Sequence, residues 1–205
     1  MNLRTFVKVG SITNLSDARF CAGFGVNLLG FDLNPDSDNY ISIDQANEIM
    51  GWVAGPEFVA ELGEMALADI ITLQKENNFP YIQTNLFEIA KELSVQNIQV
   101  ILNLNIAKRD DIIKIKEAIE SGLALNHIII SCSAPELIPD IDSELKNNTT
   151  YSILKGYDVE ISQLDHIIQV QPFSGIELKG SQEEKPGFKE YDELADILEA
   201  LELED

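Results

Sequence analysis

The chain has 205 residues, 45% of them apolar and 7% aromatic, enough to bury one well-packed core, short for two, and inconsistent with a disordered chain. With 35 acidic against 14 basic residues the net charge is −21, a field that repels phosphate backbones and anionic lipids, so neither nucleic acid nor a membrane is an expected partner. No apolar run approaches the roughly 20 residues of a membrane helix, and MNLRTFVKVGSITN carries no signal-peptide pattern. Cys21, Cys132, His127 and His166 are too few and too scattered for a metal or redox motif. The expectation is a cytoplasmic protein with free thiols, no metal and no cofactor.

From the N-terminus, Phe6–Val9 reads as a buried strand and Ser16–Gly23 as a short helix, with Asn14 or Ser16 as its cap because each offers an oxygen to the unpaired first N–H groups. Leu28–Leu33 is a second strand, and Asn34–Asn39 is a loop by composition. In 43–53 the apolar residues Ile43, Ala46, Ile49, Met50 and Val53 fall on one helical face. Further strands are expected at Phe58–Leu62, Tyr81–Gln83, Gln99–Leu104, His127–Ser131, Tyr151–Leu154 and Ser174–Leu178. Helices are expected between them at Leu67–Glu76, Leu86–Leu93, Arg109–Ser121, Ile138–Leu145 and Val159–Leu164, with Tyr191–Leu201 last.

Eight strands alternate with eight helices. Such alternation predicts a parallel sheet, because parallel neighbours need a long connection that packs back on the sheet. Units of about 25 residues are near the lower limit for a closed barrel, whereas an open flavodoxin-like sheet needs only about five or six strands. The fold class is therefore α/β, a (β/α)8 TIM barrel forming a single compact domain over 1–205.

Lys8-Val9-Gly10-Ser11-Ile12-Thr13 followed by Asn14-Leu15-Ser16-Asp17-Ala18 resembles the opening of phosphoribosylanthranilate isomerase, a strand ending K-[IV]-C-G-[IL]-T and then N-x-x-D-A. Leu28-Leu29-Gly30-Phe31 resembles that family's A-L-G-F second strand, and Pro35–Ser42 its P-x-S-x-R-Y-[IV]-S loop. The middle of the chain matches only by element order. Near the end, Glu177–Gly187 lies over D-[VL]-S-S-G-V-E-x-x-P-G, with Glu183, Pro186 and Gly187 in register. The resemblance implies the barrel fold, a tryptophan-biosynthetic isomerase ancestry, and either a monomer or a homodimer.

The departures bear on function. The family's general base, a strand-1 cysteine, is Gly10 here, and its strand-6 aspartate, the general acid, falls at Ser131. A serine hydroxyl titrates too far above neutrality to serve as that acid. The arginine that grips the substrate carboxylate becomes Asn39, without the charge or the bidentate fork. Loss of the aminoaldose-to-aminoketose isomerisation is the expectation. A phosphate or other anion site is expected from Lys155 and Gly156 in loop 7 with Lys179, Gly180 and Ser181 in loop 8, where two ammonium groups and backbone N–H groups would hold a small phosphorylated or anionic ligand. The competing reading pairs both lysines with barrel carboxylates such as Glu177.

Two alternatives stay open. One is another enzyme of related substrate class with rebuilt residues, drawing on Lys8 as a base tuned by burial near Asp32 or Glu64, and on Cys132 as a nucleophile. The other is the original isomerase with its acid and base supplied from neighbouring strands. A mouth plugged by Tyr157, Phe188 or Met65 would instead mark a non-catalytic protein.

Overall fold

The computed structural model describes residues 2–203 apart from 97, 147, 149, 170, 171, 181, 182, 186, 187, 190 and 191; of 183–185, 188, 189, 192 and 193 it describes the backbone alone. Eight parallel strands close into a barrel: β1 (Phe6–Gly10), β2 (Leu28–Asp32), β3 (Glu57–Glu61), β4 (Tyr81–Thr84), β5 (Gln99–Ile106), β6 (His127–Cys132), β7 (Ile153–Lys155) and β8 (Gly175–Lys179). Closure runs from Phe6 opposite Gly175 to Gly10 opposite Lys179. Around it pack α1 (Leu15–Gly23), α2 (Ile43–Trp52), α3 (Leu67–Asn77), α4 (Phe87–Ser94), α5 (Ile112–Glu120), α6 (Ile138–Leu145), α7 (Leu164–Gln169) and α8 (Asp192–Ala200). None of the described helices is long and apolar enough to cross a membrane.

Side chains alternate along each strand between the barrel interior and the helical layer. Leu28, Val59, Tyr81, Ile101, Ile129 and Leu154 form the inner apolar layer, with Phe6 packed against it. The alternate set, including Val7, Leu29, Ala60, Ile82, Leu102, Ile130 and Ile176, meets the helices in the larger outer core. Asn14 caps α1, its side chain accepting from the Asp17 N–H at 3.0 Å, and Ser42 with Gln45 forms a capping box on α2.

Three local readings of the sequence need correction. β7 begins at Ile153 rather than Tyr151, because Asn148 takes both backbone groups of Tyr151: Oδ1 accepts its N–H at 3.1 Å and Nδ2 donates to its carbonyl at 2.8 Å. No helix spans Val159–Leu164. Asp158 is left-handed at φ 47° and Glu160 extended, so the chain makes a short 3-10 turn at Ile161–Gln163 and α7 starts where the expected helix ended. Beyond β8 a small antiparallel hairpin, β9 (Glu183–Lys185) with β10 (Phe188–Lys189), was not foreseen. Pro186, Gly187 and Tyr191 lie outside the described residues.

Candidate functional site

In a barrel of this kind the C-terminal ends of the strands gather polar side chains above the apolar layer. Here they gather an ion cluster. Lys8 on β1 is wholly buried, and its ammonium donates to Glu61 Oε1 on β3 at 2.5 Å and to Glu177 Oε1 on β8 at 2.6 Å. Glu61 Oε2 accepts the Ser11 N–H at 3.0 Å. Both carboxylates are nearly buried, at 7% and 9% exposure, so they are shielded from solvent and bound to each other through one lysine. Burial alone would lower the Lys8 pKa, but the charges and hydrogen bonds of Glu177 and Glu61 outweigh it and hold the ammonium above its ordinary value. Lys8 is thus held as the cation, and its ammonium joins two acidic side chains from β3 and β8.

The glycines around this cluster are there for space. A Cβ on Gly10 would lie 2.6 Å from Glu61 Oε1 and 3.1 Å from Lys8 Nζ, and a Cβ on Gly30 would overlap the same carboxylate. On Gly156 it would meet Glu177 Oε2 at 3.0 Å. Next to Gly10, Ser11 holds a left-handed φ of 55°, a conformation that favours glycine, and it stands where the isomerase pattern has one. The bond from its N–H to Glu61 helps keep the serine in that shape.

The other side of the mouth is neutral. Ser131 Oγ donates to Asn103 Oδ1 at 3.0 Å, and Asn103 Nδ2 donates to Asn85 Oδ1 at 3.1 Å. Gln83, opposite Glu61 in register, buries its Oε1 with no hydrogen-bond partner among the described residues. Asp32 accepts from the Asn34 N–H and from Ser37 Oγ, and Asn39 donates its N–H to Ser37, so these residues organise their own loop and reach neither Lys8 nor Glu61. Glu64 is exposed, and Cys132 directs its thiol to the Ala134 carbonyl at 3.2 Å. Among the described residues no group of three or more His, Cys, Asp or Glu is placed to hold a metal ion.

The lysines expected in loops 7 and 8, Lys155 and Lys179, differ in their surroundings. Lys155 follows the inward Leu154 and so points outward, where its ammonium lies over the Tyr157 ring, 3.4 Å from the centroid. The Gly156 N–H donates to the Ile130 carbonyl at 2.9 Å and the Gly180 N–H to the Gly10 carbonyl at 2.8 Å, so both are already committed. Lys179 ends β8 exposed, and Ser181 lies outside the described residues. Neither lysine has an ion pair with Glu177, whose partner is Lys8. Tyr157 is buried beneath Lys155 instead of plugging the mouth, Met65 packs on the outer core, and the side chain of Phe188 is not described.

At the opposite end of the barrel, His127 opens β6 against Phe6, with ring centroids 4.7 Å apart, and Nδ1 meets Ser152 Oγ at 2.8 Å. Burial and the charge of Lys8 lower its pKa to about 4, so it is neutral at pH 7. Glu61 is the residue the sequence reading missed. The available signal was an acid at an inward position within the apolar run Phe58–Leu62.

A closed barrel of eight parallel strands ringed by helices defines a TIM-barrel protein. The chain is similar to phosphoribosylanthranilate isomerases, in sequence over one short stretch and in fold over nearly its whole length. One relative, the N-(5'-phosphoribosyl)anthranilate isomerase of Nitrosomonas eutropha, is 39% identical over 61 residues, a stretch spanning 30% of this chain and 28% of that protein. The fold agrees over nearly the whole length. The isomerase from Thermotoga maritima superposes with a TM-score of 0.78 at 18% identity, and that from Thermus thermophilus with 0.75 at 20%, each over 96% of this chain and 98% of the other. An isomerase in complex with reduced 1-(o-carboxyphenylamino)-1-deoxyribulose 5-phosphate superposes with 0.75 at 19%, over the same shares. No family model matches the chain.

Proposed function

We propose that this protein keeps the barrel of phosphoribosylanthranilate isomerase without its proton-transfer chemistry and acts as a non-catalytic, ligand-binding barrel. One observation carries the reading: the Glu61 carboxylate, held by Lys8, occupies the space beside Gly10 into which the family's base would project. The position cannot take a thiol while Glu61 stays where it is. Opposite, Ser131 is a hydrogen-bond donor to a neutral amide and supplies no acid near neutral pH. The Lys8 cluster sets two acidic side chains against one ammonium, whereas a phosphoribosylated anthranilate carries both a phosphate and a carboxylate, so these two acids do not favour it. Asn39 lends no charge to offset that, and Lys155 points elsewhere.

The test is turnover of N-(5'-phosphoribosyl)anthranilate by the purified protein. The reading expects none above background. Turnover that falls by about 10²–10⁴ on Glu61→Gln, the range that a general acid or base contributes, would overturn it and make Glu61 a rebuilt catalytic base.

A further inference from the structure

Outside the barrel mouth, α6, α7 and the loop after β7 enclose a cavity of about 310 Å³, at the small end of the usual range for ligand pockets. Its chemistry is unlike the rest of this acidic chain. Lys155 lines it and is only 4% exposed, yet among the described residues no carboxylate lies within 4.0 Å of its ammonium and none accepts a hydrogen bond from it. Its close contacts are the faces of Tyr157, at 3.4 Å, and Phe173, at 5.5 Å. Cation–π contact offsets part of the cost of burying an ammonium and leaves its hydrogen-bonding capacity unused.

The nearby acids are held by other donors. Asp142 accepts the Tyr157 hydroxyl at 2.8 Å, and Asp158, fixed in a left-handed backbone, accepts Gln163 Nε2 at 3.3 Å. Burial lowers the Lys155 pKa in spite of Asp142, Asp158 and Cys132, as befits an ammonium without a paired anion. Ile138, Ile167 and Phe173 give the cavity an apolar side, and the exposed Lys146 and His166 stand at its rim.

We propose that this cavity is a binding site for a small organic carboxylate. The carboxylate pairs with Lys155 Nζ, and the apolar body lies against Ile138, Ile167 and Phe173. A single carboxylate fits better than a phosphate dianion, because Asp142 and Asp158 flank the one buried ammonium and would repel a second negative charge. Lys146 at the rim favours entry of an anion. The site lies on the outer face of β7 and is independent of what the barrel mouth does.

Benzoate tests the idea, with benzamide as its neutral isostere, by calorimetry and by the 15Nζ signal of Lys155. Benzoate should bind in the millimolar range or better, shift that signal and raise the Lys155 pKa, while benzamide binds at least about tenfold more weakly. Lys155→Met should remove the preference for benzoate over benzamide, and Asp142→Asn, which keeps an acceptor for Tyr157 and removes a charge, should tighten benzoate several-fold. Circular dichroism confirms that each variant is folded. Equal binding of benzoate to the wild type and Lys155→Met, no binding to the wild type, or no gain from Asp142→Asn would overturn the proposal.

Discussion

Lys8 and Lys155 are both buried, at 0% and 4% exposure, on strands of the same barrel, and their surroundings are opposite. Lys8 points inward and holds two carboxylates at 2.5 and 2.6 Å. Lys155 points outward and, among the described residues, has aromatic faces rather than an ion pair against its ammonium. Their pKa values move in opposite directions accordingly, Lys8 up despite burial and Lys155 down because of it. A buried charge is thus structural where its partners are built in, and available for a ligand where they are not.

The most direct way to break the contrast is to remove each cation. Lys8→Met leaves Glu61 and Glu177 facing each other without a counter-charge, and should cost about 3–5 kcal/mol, the usual price of orphaning a buried ion. Denaturant unfolding measures it. Filling the space beside the cluster comes next: Gly10→Ala puts a Cβ 2.6 Å from Glu61 Oε1 and should cost about 1–3 kcal/mol, as overpacking generally does. Shortening Glu61 in the same chain should recover part of that loss, a coupling that a double-mutant cycle reads.

His127 sharpens the comparison from below, since part of its shift comes from the charge of Lys8. Its folded pKa of about 4 lies below the ordinary 6.5, so the unfolded chain binds the proton first. The stability this residue contributes is complete above pH 6.5 and is lost as the pH falls towards 4, by about 2 kcal/mol after discounting for partial exposure. His127→Gln should flatten the stability profile over that window relative to the wild type. An unchanged slope would separate the histidine from the charge above it.

Lys155→Met gives the smallest effect, within about 1 kcal/mol of the wild type, because a buried unpaired ammonium exchanged for an apolar side chain loses little or gains. Its pH signature has a definite sign: with the folded pKa depressed, the wild type gains stability relative to Lys155→Met as the pH rises towards 10.5. A loss as large as that of Lys8→Met would erase the distinction between the two lysines.

The barrel was legible in the sequence because apolar runs and helical faces alternate along the chain, and that pattern survives wherever Gly and Asn punctuate it. The start of α7 was not, since Ile161 and Leu164 have the three-residue spacing of a helix face and it is the left-handed Asp158 and the extended Glu160 that hold the helix back. Gly10, Asn39 and Ser131 could be read as departures from a family pattern, because each is a local substitution. Their cause could not be read. Glu61 and Glu177 lie 53 and 169 residues from Lys8, and one sequence does not reveal which acid closes on which base. The direction of Lys155 was decided by register: with β7 at Ile153–Lys155 and Leu154 inward, the lysine can only face the helices.

In the proposed reading the scaffold lacks the isomerase chemistry because Glu61, held by Lys8, fills the space that a base at position 10 would need. Rescue of a tryptophan auxotroph lacking phosphoribosylanthranilate isomerase tests it most directly, since growth needs little activity. The wild-type gene should fail, and so should Gly10→Cys with Asn39→Arg and Ser131→Asp while Glu61 is intact; adding Glu61→Ala gives the combination with space for the thiol. Growth on the unmodified gene would contradict the claim and assign the proton transfers to the cluster itself.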